Sequence, residues 1–179
     1  PPPSLSAPVM VELAGGGKLP ATSATIADER CRVRFGEGFE VSLPIDALRA
    51  IRYPSDRPCA AFQAALSKPG ETDRIFIKLA DEDPAKPAAE QPVQAIDGLI
   101  VAVTDDRVVF DYQGAERSTP IERVLGIVAA QFEEAGRYRA LVTLQDGGAL
   151  PADMLRLADG KVTLSIGGDD AELPLASVA

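Results

Sequence analysis

The sequence predicts a mainly β protein, built of tandem small antiparallel β-barrel or β-sheet modules with short helical turns. Three observations predict it. A phrase of a proline, an aliphatic residue, two variable residues and another aliphatic residue occurs three times, in "VSLPIDALRAI", "RSTPIERVLGI" and "AELPLASVA". Apolar and polar residues alternate in short runs, the period of a half-buried antiparallel strand. Fifteen glycines and fifteen prolines in 179 residues mark many turns rather than long helices.

The first unit runs from Val9 to Tyr53 and the third from Arg139 to Ala179. "VELAGGGKLPA" aligns with "VTLQDGGALPA", so that Leu13 matches Leu144, Leu19 matches Leu150 and Pro20 matches Pro151. The second unit, Arg74 to about Phe132, is more diverged and carries a Pro- and Ala-rich insertion, "EDPAKPAAEQP". The predicted organisation is a linker over 1–8, β module 1 over 9–56, and a linker with a possible short helix over 57–72. β module 2 with its insertion covers 73–136, and β module 3, apparently truncated, covers 137–179.

In order along the chain, Gly15 to Gly17 form a hairpin turn. Cys31, Val33 and Phe35 alternate with Arg32 and Arg34 as one strand face, and Ile75, Ile77 and Leu79 do the same, as do Val162, Leu164 and Ile166. "ADGK" at 158–161 is a further turn. "CAAFQAALS", Cys59 to Ser67, has good helix formers. Each repeated proline starts or ends a strand, because it has no ladder donor. The aliphatic residues that follow are three apart: Ile45, Leu48 and Ile51; Ile121, Val124 and Ile127; Leu175 and Val178. That spacing is one face of a tight helical turn, followed by a return strand. Over Pro120 to Ala135 a capped helix competes with this turn and strand; the repeat favours the turn and strand. The third unit stops where its return strand is due. Its edge over Ala171 to Ala179 is therefore expected to be covered by further chain, by a partner subunit, or by "VMVEL" folding back.

Composition narrows function. A net charge of −9, from 27 acidic and 18 basic residues, repels a phosphate backbone, and the clearest basic grouping is only Arg30, Arg32 and Arg34. No nucleic-acid partner is expected. Without histidine the chain cannot build Ser-His-Asp or Cys-His nucleophile systems alone. No enzymatic activity is expected, and no catalytic, cofactor-binding or metal residues are assigned. Apolar stretches are too short to span a membrane, so no membrane insertion is expected. "PPPSLSAP" has no basic start or apolar core and reads as a linker rather than a signal peptide. Gly15 to Gly17, followed by Lys18, lie between strands, not before the helix that a phosphate loop needs. Asp81, Glu82 and Asp83, the pair Asp105 and Asp106, and the pair Asp169 and Asp170 read as solvated turn acids, with calcium as the alternative. Cys31 and Cys59 are either free thiols or one disulfide. The six phenylalanines read as core. Tyr53, Tyr112 and Tyr138 sit near strand ends, as boundary packing or as an interface mark.

The pattern L…G…LP…(I/L)…D(G)…V(T/R)(L/F)…G…LP(I/L)xxLxxI resembles the Sm-like or SH3-like small β modules that recur in large surface and periplasmic proteins of planctomycetes and related bacteria. The likeness covers nearly the whole chain outside the first eight residues and 54–72. It implies a non-catalytic structural or protein-interaction module of a larger assembly, periplasmic or at the cell surface, with a protein partner or further domains of the same chain. The alternative is a carbohydrate-binding accessory module. RNA-binding Sm proteins carry an Asp-x-x-Asn-form loop signature. "IADERCRVRF" and "LADGKVTLSI" lack it, so the resemblance implies no RNA role.

Overall fold

The computed structural model describes residues 9–36, 38–55, 59–68, 70–79, 87, 91–131 and 138–179. The predicted linker 1–8, the acidic trio Asp81 to Asp83, most of the insertion, and the module boundary at 136–137 lie outside the described residues.

Among the described residues the chain is mainly β with one α-helix, and all the strand pairs are antiparallel. The first unit holds β1 (Val9–Leu13), β2 (Lys18–Ala27), β3 (Arg30–Phe35), β4 (Phe39–Pro44) and β5 (Leu48–Arg52). Helix α1 (Ala60–Ser67) follows. The second unit holds β6 (Asp73–Lys78), β7 (Val93–Val103), β8 (Arg107–Tyr112), β9 (Ala115–Pro120) and β10 (Val124–Val128). The third holds β11 (Ala140–Thr143), β12 (Ala149–Ala152), β13 (Met154–Ala158), β14 (Lys161–Ile166) and β15 (Asp169–Pro174). The turn-and-strand reading of Ile121 to Val128 therefore stands over the helix.

The repeated proline phrase has one structural meaning. Pro44, Pro120 and Pro174 each end a strand, where the missing N–H costs no ladder bond. A single 3-10 turn follows each: Ile45–Ala47, Ile121–Arg123 and Leu175–Ser177. The first N–H of each turn donates back to an earlier turn. Ile45 donates to the Glu29 carbonyl, Ile121 to Asp106 and Leu175 to Gly160, all at 2.9 Å. The later aliphatic residues do not lie on the helical turn as the spacing suggested. Leu48 and Ile51 are both in β5, and a bulge at Arg49 turns their odd spacing onto one face.

Separate small sheets, one per unit, are not what forms. Twelve strands from all three units share one sheet, and only β13, β14 and β15 form a second. The reason is that pairing crosses unit borders. β5 pairs with β10, with Ile51 opposite Ile127. β2 pairs with β7, with Ile26 opposite Val103. β2 also meets β12, with Lys18 opposite Ala149. The strands β2, β1, β5, β10, β6 and β7 thus close into a ring through the β2–β7 pair. Val11, Leu19, Ile51, Ile75 and Ile127 are fully buried in the main apolar core. Burying such a side chain stabilises by about 1.5 to 3 kcal/mol. Asp73 ties the ring: its carboxylate accepts the Ile100 N–H at 2.7 Å and the Ala130 N–H at 2.8 Å.

The predicted linker helix is docked. Phe62, Ala65 and Leu66 of α1 pack on Ala50, Phe76, Leu125 and Val128, a second cluster distinct from the main core. The rings of Phe62 and Phe76 meet edge to face at 5.4 Å. The Arg49 guanidinium holds the Leu66 carbonyl at 2.8 Å. Gly126 makes this fit possible, because a Cβ there would lie 2.5 Å from the Phe62 ring and 3.0 Å from the Ile51 carbonyl. Gly126→Ala is expected to destabilise the fold by about 1 to 3 kcal/mol through overpacking. Urea denaturation measures it, and Phe62→Leu in the same chain should recover part of the loss as a coupling between the two sites.

Candidate functional site

The residues singled out for chemistry are mostly engaged in holding the fold. At the glycine run, Gly15 and Gly16 take positive φ values of 78° and 90°, and the Leu13 N–H closes the turn on the Gly17 carbonyl at 2.8 Å. The Tyr138 ring lies over Gly15, where a Cβ would come within 2.3 Å of it. This is the hairpin turn expected, and its match in the third unit makes the same bond, Leu144 N–H to the Gly148 carbonyl at 2.8 Å.

Two of the three alternating arginines are neutralised. Arg30 donates to Asp169 at 2.9 Å and also to Ser42, joining the first unit to the third. Arg34 pairs with Glu40 at 2.9 Å. Asp106 accepts from Thr104 at 2.5 Å and from Arg107 at 3.0 Å. These bonds hold its carboxyl below the ordinary carboxylate value. Among the described residues, no group of three or more acids and cysteines is placed to hold a metal ion.

Cys31 and Cys59 are both free. Cys31 points into the main core, whereas Cys59 packs against the α1 cluster. The disulfide alternative therefore does not form. Burial pushes the Cys31 thiol up to about 12. Burial also raises the Tyr53 phenol, helped by Cys31 and Asp105 nearby.

Two clefts and one apolar strand remain as candidate surfaces. One cleft, of about 400 Å³, lies where the first and third units meet, between Phe35, Phe39, Leu144 and Pro174. The other, of about 590 Å³, is lined by Gln94, Asp97, Phe110, Tyr112, Gln113 and Arg117. The strand is β13. Among the described residues it pairs only with β14, and none of them pairs with its outer edge. All five of its residues are exposed, and Met154, Leu155 and Leu157 are large and apolar. Leu155 and Leu157 stand opposite the buried Leu164 and Val162 and share their face. Of the three covers expected for the Ala171 to Ala179 edge, "VMVEL" is not the one, because β1 is taken by β2 and β5. The last residues do begin a return, with Val178 bridging Leu144 and the Ala179 N–H donating to Thr143. Sequence reasoning passed over β13. The signal was there: "MLRLA" places apolar residues on both faces, where a strand with one solvated face would alternate.

No known protein family, curated protein or solved structure matches the chain. The described residues include no helix long and apolar enough to cross a membrane.

The buried thiol yields a pH signature. Between pH 9, where an ordinary thiol ionises, and about 12, the unfolded chain releases a proton that folded Cys31 keeps. The folded state then binds more protons, so stability falls as pH rises, by up to ~1.4 kcal/mol per pH unit. Tyr53 adds in the same direction above its ordinary 10.0. Urea midpoints taken from pH 8 to 11 should decline, and Cys31→Ala should flatten the early part of that decline.

Proposed function

We propose that this chain is a non-catalytic interaction scaffold of tandem SH3-like units, acting through the sheet edges and faces that its units present. The likeness to a small-barrel module is supported by each unit's pairing. The first strand of a unit pairs with both its second and its last: β1 with β2 and β5, and β6 with β7 and β10. β11 pairs with β12, and Leu144 just after it bridges to Val178. A 3-10 turn precedes β5, β10 and the Val178 bridge. A protein partner, or further domains of the same chain, at the periplasmic or outer cell surface completes this reading.

The observation that carries it is the bare apolar edge of β13. Proteins usually blunt a free edge with charges or proline. β9, which pairs only with β8, follows that rule with Glu116, Arg117 and Pro120. β13 offers Met154, Leu155 and Leu157 with a single Arg156. Exposed apolar surface next to unpaired backbone is a docking surface by strand addition.

A second reading, carbohydrate binding, is favoured by the cleft at Tyr112. It groups an exposed tyrosine with Gln94, Asp97, Gln113 and Arg117, and the Gln113 amide donates to the Tyr112 hydroxyl at 3.2 Å. One aromatic face with amides, an acid and a guanidinium suits a sugar.

A photo-crosslinking side chain at Leu155, in the native cell, separates the two. Position-specific protein adducts are expected there and not from the same group at Glu116. If Leu155 yields no adduct, and the purified chain binds a glycan saturably until Tyr112→Ala abolishes it, the carbohydrate reading replaces the scaffold.

A further inference from the structure

The occupant of the β13 edge can be read from the other two units. In each unit one strand turns tightly into the next, β2 into β3, β7 into β8 and β13 into β14, and one apolar residue of the earlier strand stands opposite a buried residue of the later. Those pairs are Ile26 with Cys31, Val103 with Val108, and Leu157 with Val162. Ile26, Val103 and Leu157 therefore hold one structural position. Ile26 is 2% exposed and Val103 1% exposed, whereas Leu157 is 59% exposed. The difference has a visible cause. Ile26 and Val103 lie opposite one another in the antiparallel β2–β7 pair, so each unit covers the other's residue with its own copy of it. Among the described residues the third unit has no such mate.

We propose that β13 pairs antiparallel with β13 of a second copy of this chain, with Leu157 opposite Leu157 of its partner. The pairing repeats between two chains what Ile26 and Val103 do within one. It is isologous, so it closes as a two-fold dimer and does not propagate. Antiparallel register about Leu157 sets Arg156 against the partner's Ala158 and Leu155 against the partner's Asp159. The strand's one positive charge thus does not meet itself. Leu157, on the face of the buried Leu164 and Val162, gains the cover it lacks. The edge carries no proline and no inward charge to prevent the addition. This deepens the scaffold reading and rests on it.

Sedimentation and light scattering of the purified chain over a broad dilution series test it. The expected mass is twice the 18.8 kDa of one chain at the concentrated end, and Leu157→Asp should return the single-chain mass with no loss of thermal stability. Leu157→Cys, in a Cys59→Ser background, should crosslink to itself under mild oxidation, because paired Cα atoms across antiparallel strands lie within disulfide reach. Leu141→Cys, also exposed but on β11, should not. The crosslinking arm stands even if the aspartate variant folds poorly. A single-chain mass throughout, a dimer indifferent to Leu157→Asp, or equal crosslinking from Leu141→Cys overturns the proposal. If the chain is monomeric yet Leu155 crosslinks to a different protein in the cell, the second copy is wrong and the scaffold reading survives.

Discussion

The antiparallel contact of β5 with β10 is the constraint from which the rest follows. Ile51 meets Ile127 there, and both are the third aliphatic residue of the same proline phrase. The two strands continue as matched halves. The Tyr53 N–H donates to the Leu125 carbonyl and the Ala129 N–H to Arg49, at 3.1 and 3.0 Å, bonds related to each other by the same local two-fold. With β5 and β10 joined, β1 and β6 fall on their outer flanks. The long strands β2 and β7 then come round to meet at Ile26 and Val103, another pair of equivalent residues. A ring of six strands results because one relation is applied twice, and it removes the edges that an open sheet would leave there.

The third unit attaches by the same kind of relation at a different place. Lys18 and Ala149, which pair between β2 and β12, occupy matched positions in "GGKLPA" and "GGALPA". The approach is close: a Cβ on Gly17 would lie 2.4 Å from the Pro151 ring, and one on Gly148 would lie 3.2 Å from Leu19. The repeated glycine therefore has a packing role as well as a turn role, since it lets two copies of one hairpin lie back to back. The Arg30 to Asp169 ion pair at 2.9 Å secures the flank. Both partners are over a third exposed, so it adds orientation more than stability.

Local chemistry was legible in the sequence and long-range pairing was not. Pro44, Pro120 and Pro174 could be read as strand ends because a missing N–H is a property of the residue itself. The alternation of Cys31, Val33 and Phe35 fixed a buried face because side-chain direction alternates along any strand. Nothing local says which strand will lie beside β5, so the sharing of one sheet by three units could not be read from periodicity. The same holds for the candidate surfaces. Leu157 looks like any apolar strand residue until its equivalents are found facing each other. The docking of α1 was hidden for a related reason. Helix propensity locates "AAFQAALS", but the seat for Phe62 is a glycine sixty-four positions later.

That glycine has a consequence for assembly fidelity. A strand that pairs with its own equivalent could also pair with itself, so β5 of one chain and β5 of another are potential false partners. Such ambiguity is the usual route to swapped or runaway association in repeat-built chains. Gly126 breaks the tie. Its counterpart in β5 is Ala50, which packs in the same cluster as Phe62, whereas a Cβ at position 126 would lie 2.5 Å from that ring. A pairing of two β5 strands would leave that ring without its seat. The fit of β10 beside β5 therefore depends on the absence of a single methyl group, read by a helix that belongs to neither strand.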